Sequence, residues 1–153
     1  MKSNVLRHMV VFLAAVLLPM VSLGEDPPLV QMQNGVSYVS GGVGSDETNA
    51  IKAMGDRFNL HVSMTTTGGA YMDGGSVTIV DAQGHAVLST EAAGPLFYAQ
   101  LKPGSYTIKV SGNGKQMQQM VKISASGSQM LNFTWRTAED ASDPVRGSAG
   151  TGP

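Results

Sequence analysis

Leu101-Lys102-Pro103-Gly104-Ser105-Tyr106-Thr107-Ile108-Lys109-Val110 decides how this chain folds. Pro103 presets one dihedral, Gly104 relaxes the next, and the pair predicts a tight reversal. Tyr106, Ile108 and Val110 then alternate with Thr107 and Lys109, the pattern of a strand with one face in a core and one in water. Downstream, Gly112-Asn113-Gly114-Lys115 is a turn signal, and Met117–Ile123 is the next strand, with Val121 and Ile123 inward. Ser124–Ser128 turns the chain again, and Leu131, Phe133 and Trp135 share one face of a last strand.

Upstream the same period of two continues. Pro95–Gln100 sets Phe97 and Ala99 opposite Leu96 and Tyr98. Ser76–Val80 and Ala86–Ser89 flank Asp81-Ala82-Gln83-Gly84, which predicts a hairpin whose Asp81 carboxylate accepts backbone N–H groups and whose Gly84 takes a positive φ. Leu60, Val62 and Met64 alternate with His61, Ser63 and Thr65 ahead of the turn signal Thr66-Thr67-Gly68-Gly69. Seven short strands across 59–135, joined by Gly- and Pro-rich turns, predict a mainly β fold, a two-sheet sandwich. Its expected core is Leu60, Val62, Val77, Ile79, Leu88, Phe97, Tyr106, Ile108, Val110, Val121, Ile123, Leu131 and Phe133, with Trp135 closing one edge.

Before residue 59 the period is helical. Ala50, Ile51, Met54 and Phe58 define one face, Ser45 is the expected N-cap, and Asp46 and Glu47 place negative charge on the first turn. These signals predict one short N-terminal helix, Asp46–Phe58, within a helical segment 45–58. Residues 25–44 read as an extended lead-in with a Gly-rich turn at Gly41-Gly42-Val43-Gly44, in which Val36–Ser40 alternates weakly enough for a short strand.

The ends of the chain speak to compartment. Lys2, Arg7 and His8 precede an apolar run of 13 residues, 9–21, followed by Ser22 and Gly24. A spanning helix needs roughly 17–25 residues; this layout predicts a signal peptide, 1–24, cut before Glu25. The expected location is the periplasm or the exterior, with no stable membrane span after processing. Residues 136–153 are rich in Asp, Ser, Gly, Ala and Thr and predict a disordered tail. The 129 residues after the signal carry 8 Lys+Arg against 11 Asp+Glu, a charge of −3, which excludes a strongly basic nucleic-acid binder. Cys is absent, so disulfides, thiolate metal centres and thiol nucleophiles are excluded.

Gly75–Trp135 resembles the transthyretin-like, or prealbumin-like, fold in its carboxypeptidase regulatory-like form. The carrying residues are Val77-x-Ile79-x-Asp81-x-x-Gly84, Gly94-x-x-Phe97, Leu101-x-Pro103-Gly104-x-Tyr106-x-Ile108-x-Val110 and Gly114. The resemblance extends over Asn59–Trp135 and implies a transthyretin-like seven-stranded β-sandwich. With the helix and signal it is similar to small bacterial envelope proteins that carry this domain alone. Such domains are accessory, adhesive or structural modules, so the resemblance implies a scaffold and not a reaction.

The chemistry-bearing residues point the same way. His61 and His85 are the only histidines after residue 24, and His61 falls on the outward parity of its strand. Seven methionines follow the signal, and imidazole with thioether suits copper. Met117 and Met120, however, have opposite strand parity, as do His61 and Met64. A copper or small-ligand carrier is therefore an alternative. A small hydrolase is another, although no Gly-x-Ser-x-Gly elbow occurs and Asp81 is explained by its turn. Gly41–Gly44 before a helix invites a phosphate, yet the loop lacks the Lys-Ser/Thr pair of a nucleotide-binding loop. Asn132-Phe133-Thr134 matches a glycosylation acceptor only formally. No catalytic, cofactor or metal residue is assigned. The expected contact surface is aromatic and polar: Tyr71, Met72, Tyr98, Gln116 and Gln118, with Gln119 beside them. Tyr71 and Met72 form an exposed apolar pair in a Gly-rich connection. The expected function is non-enzymatic recognition of an envelope protein, peptide or glycan, with an open edge strand as a further route to peptides or a second copy.

Overall fold

A computed structural model describes residues 27–137. The expected signal peptide and most of the expected tail lie outside the described residues. Two sheets face each other. One has five strands in the order β1 (Gln31–Gln33), β2 (Val36–Gly41), β6 (Leu96–Gln100), β3 (Leu60–Thr66) and β9 (Gln129–Trp135). The other has four, in the order β5 (Ala86–Glu91), β4 (Ser76–Asp81), β7 (Gly104–Gly112) and β8 (Lys115–Ile123). All pairings are antiparallel except β3 with β9. Among the described residues no helix is long and apolar enough to cross a membrane.

The nine strands of the described residues exceed the seven expected, and the difference lies at the start. The short strand expected at Val36–Ser40 is present as β2, but it pairs with β1, so Gln31–Gly41 is a hairpin and not an extended lead-in. Its two-residue turn is Asn34-Gly35, both at positive φ (50° and 79°), as the tightest hairpin turns require. The same chemistry recurs at Asn113-Gly114 (49° and 71°) between β7 and β8. β2 then pairs with β6, placing Val36 and Tyr38 in the main core.

The helix is shorter than expected. α1 runs Ser45–Ala53, and a 3-10 turn, Gly55–Arg57, follows Met54. The N-cap is Gly44, not Ser45, and it contributes no side-chain bond. Ile51 and Phe58 pack with Val39, Leu96 and Tyr98 in a second apolar cluster on the outer face of the five-stranded sheet.

Between the sheets, Phe97, Leu60, Val62, Val77, Ile79 and Ile108 are fully enclosed. Tyr106 and Leu131 are only partly buried against this core, while Trp135 is 2% exposed and belongs to it. The Asn59 carboxamide ties β3 to the end of β6, donating to Leu101 O (2.7 Å) and accepting from Leu101 N–H (2.8 Å).

Both open corners of the sandwich are laced by side chains. At the β1/β5 corner, Ser89 N–H donates to Gln33 Oε1 (2.6 Å), Asn34 Nδ2 donates to Val87 O (3.3 Å), and Tyr38 Oη meets Thr90 Oγ1 (3.3 Å). At the β8/β9 corner, Gln119 Nε2 donates to Asn132 O (3.0 Å) and Trp135 Nε1 to Lys115 O (3.3 Å). Three of these bonds, to Ser89 N–H, Val87 O and Asn132 O, take outward backbone groups that would otherwise template another strand. The expected route by strand addition is thus obstructed where these side chains sit. Replacing both Gln33 and Gln119 by Ala should cost about 1–3 kcal/mol in all and expose Ser89 N–H and Asn132 O. Chemical denaturation and light scattering should show lower stability together with concentration-dependent self-association.

Candidate functional site

The sequence grouped Tyr71, Met72, Tyr98, Gln116 and Gln118 as one surface; the structure divides them among two sheet faces and the core. Met72 is 6% exposed and packs against Gly112 and Trp135, so it is a core residue rather than half of an exposed pair. Tyr71 is 48% exposed and bridges Thr65. Tyr98 is buried on the outer face of β6, stacked on His61 (centroids 4.2 Å apart) and edge-on to Phe58 (6.3 Å). Burial pushes the Tyr98 hydroxyl above the ordinary tyrosine value, with a smaller push from the Tyr71 phenol. Gln116 and Gln118 are exposed on the opposite side, and Gln119 is spent on the corner bond described above.

Gln116 and Gln118 belong to the outer face of the four-stranded sheet. Alternation turns Val77, Ile79, Ile108, Val110, Val121 and Ile123 into the core and leaves their neighbours outside. Register aligns those neighbours in rows: Ser76, Ser111 and Gln116, then Thr78, Lys109 and Gln118. Beyond them stand Val80, Thr107 and Met120, then Ser105 paired with Lys122. An open trough of about 630 Å³ lies over this platform, with Thr107, Lys109, Gln118 and Lys122 among its lining. Met120, 85% exposed, supplies its largest free apolar side chain. Sequence reasoning found Gln118 but missed Lys109 and Lys122, whose signal was their shared outward parity with it.

The Asp81 turn walls one end. Asp81 Oδ1 accepts from the N–H groups of Gln83 (2.9 Å) and His85 (2.8 Å), and Oδ2 lies 3.5 Å from His85 Nδ1. The backbone bond from His85 chiefly holds the Asp81 carboxyl below its ordinary 3.8, with the Gln83 bond and the His85 ring acting in the same sense. The turn role read from the sequence is the one observed, including Gly84 at φ 88°.

Other chemistries find their groups engaged or apart. His61 Nε2 faces Gly55 O (3.1 Å) and Phe58 O (3.2 Å), so this nitrogen carries the proton, and the ring is a strut beneath the 3-10 turn. Met117 faces the core side of β8 and Met120 the outer side, as parity predicts. Among the described residues no three His, Cys, Asp or Glu side chains gather as a metal site. In the Gly-rich loop, Glu47 Oε2 accepts from Gly42 N–H (2.9 Å) and Val43 N–H (3.1 Å), so the chain's own carboxylate holds the donors a phosphate would need. Asn132 of the formal acceptor motif accepts from Ser63 (3.1 Å) and Thr65 (3.2 Å) and donates to Thr134 (3.3 Å).

Comparison with protein-family models finds no match, and comparison with curated proteins finds none either. The chain is a mainly β, two-sheet sandwich with a short helix, of a kind consistent with a non-catalytic binding domain.

Two expectations follow. Met72→Ala should destabilise the fold by about 2–4 kcal/mol, the cost of a buried cavity, and thermal denaturation will register it. Asp81 contributes stability in full above its unfolded pKa and loses it as pH falls through the lowered native value. Asp81→Asn should therefore flatten the acid limb of a stability–pH profile measured below pH 5.

Proposed function

We propose that this chain is a non-enzymatic recognition module of the periplasm or the exterior, with a transthyretin-like β-sandwich as its rigid scaffold. The trough on the four-stranded sheet carries this reading: hydroxyl, amide and ammonium groups share one open concavity of about 630 Å³ that no element of the described chain covers. A face of this kind binds by matched polar contacts, with the paired strands holding donors and acceptors in register. The transthyretin-like assignment draws on the Pro103-Gly104-x-Tyr106-x-Ile108-x-Val110 block, and the location on the expected signal peptide. A protein, peptide or glycan of the cell envelope is the partner we assign to the platform. Laced sheet corners favour recognition by side chains over strand addition.

Placing a photo-crosslinking amino acid at Gln118 and, separately, at Ser63 on the opposite sheet tests the reading in cells. Adducts in the envelope fraction should arise from position 118 and not from position 63. Equal yields at both positions, or none at 118, would overturn it.

A further inference from the structure

We infer that the platform takes an acidic glycan, an extended polyhydroxylated chain with carboxylates on more than one sugar; this rests on the binding-module reading. Charge is the first argument. Lys109 and Lys122 both line the trough, and among the described residues neither has an ion-pair partner; the pair His85–Asp81 involves neither lysine. Asp81, the one carboxylate among the lining residues, accepts two backbone N–H bonds and lies 3.5 Å from His85 Nδ1. Glu91 stands on the edge strand β5, outside the trough lining. An anion arriving here meets two unspent ammonium groups and a carboxylate already satisfied.

The neighbouring groups supply the second argument. Ser105, Thr107 and Gln118 lie among the lysines, offering both donors and acceptors at fixed positions, which suits hydroxyl-rich ligands. Spacing is the third. Lys109 and Lys122 sit two rows apart on neighbouring strands, a backbone separation of about 14 Å at the strand rise of a sheet. A ligand with anionic groups at intervals matches that spacing better than a single small anion. The side-chain bonds at the sheet corners favour a glycan over a peptide, because a peptide's main chain gains most from an unobstructed strand edge.

The test is titration of isotopically labelled protein with tetragalacturonate, its methyl ester and the galacturonate monomer, following backbone amide shifts. The acid tetramer should shift amides of β7 and β8, while the ester and the monomer shift them weakly or not at all. Lys109→Gln and Lys122→Gln, both on the surface, should each weaken binding about tenfold, the scale of one charge-assisted bond, with unchanged melting temperatures. Raising the salt concentration should weaken binding further. Equal binding of ester and acid would overturn the role of charge, and equal binding of monomer and tetramer the extended ligand. Absence of shifts with the tetramer, or indifference to both lysine changes, would overturn the inference outright. If the tetramer fails while position 118 still forms specific adducts, the glycan inference falls and the recognition module stands; if both fail, both fall.

Discussion

The structure depends on burying both faces of β6. Phe97 and Ala99 enter the space between the sheets, while Leu96 and Tyr98 point the other way, into the cluster under α1. A strand apolar on both sides needs cover on both sides, so the helix is required by the sheet and not merely attached to it. Its nine residues would be marginal alone. Ile51 and Phe58 anchor it to Leu96 and Tyr98, and Glu47 fastens its first turn to the loop leaving β2. The two halves of the five-stranded sheet's outer face differ for this reason: one is covered by the helix, the other is a polar ladder of Ser63, Thr65, Asn132 and Thr134.

Among the described residues, that division leaves the outer face of the four-stranded sheet as the broad uncovered one. Its strands alternate, with branched apolar residues inside and mostly Ser, Thr, Gln and Lys outside, Val80 and Met120 excepted, as expected of an antiparallel sheet with one face in water. The corner bonds and the platform complement one another: side chains close off points where another backbone would dock, and on the face between, Thr78 is bonded to Ser89 while Lys109 and Lys122 have no ion-pair partner among the described residues. In the proposed recognition module, contact is thereby shifted from main chain to side chain.

Much of the architecture was legible in the sequence because its signals are local. The Asp81–Gly84 turn, the Asn113-Gly114 turn and the alternation from Tyr106 to Val110 each specify their own conformation. Three features were not. Asn34-Gly35 lies among glutamines, so its hairpin with β1 went unread, and Val36–Ser40 showed only the weak alternation of a short strand because β2 buries residues on both sides. The pairing of β3 with β9 joins residues 69 apart, as at Ser63 and Asn132, and no local pattern announces such a partner. Met72 and Tyr98 were read as surface because exposure depends on what packs over them: Gly112 and Trp135 in one case, the helical segment in the other. Of the candidate site, the glutamines of β8 could be read by parity, whereas the lysines joined them only once strand register was known.

The parallel union of β3 with β9 also governs the order of assembly. The four-stranded sheet forms from neighbours in sequence, two of its three pairings being hairpins, but the five-stranded sheet is unfinished until its final strand arrives. Closing so long a loop is entropically costly before any contact rewards it, and topologies of this kind fold slowly for their size. Phe133 and Trp135, both buried, reach the core only at that step. A chain lengthening from its N-terminus therefore holds an incomplete core until residue 135 is free, and a C-terminal truncation into β9 removes the piece on which cooperative closure waits.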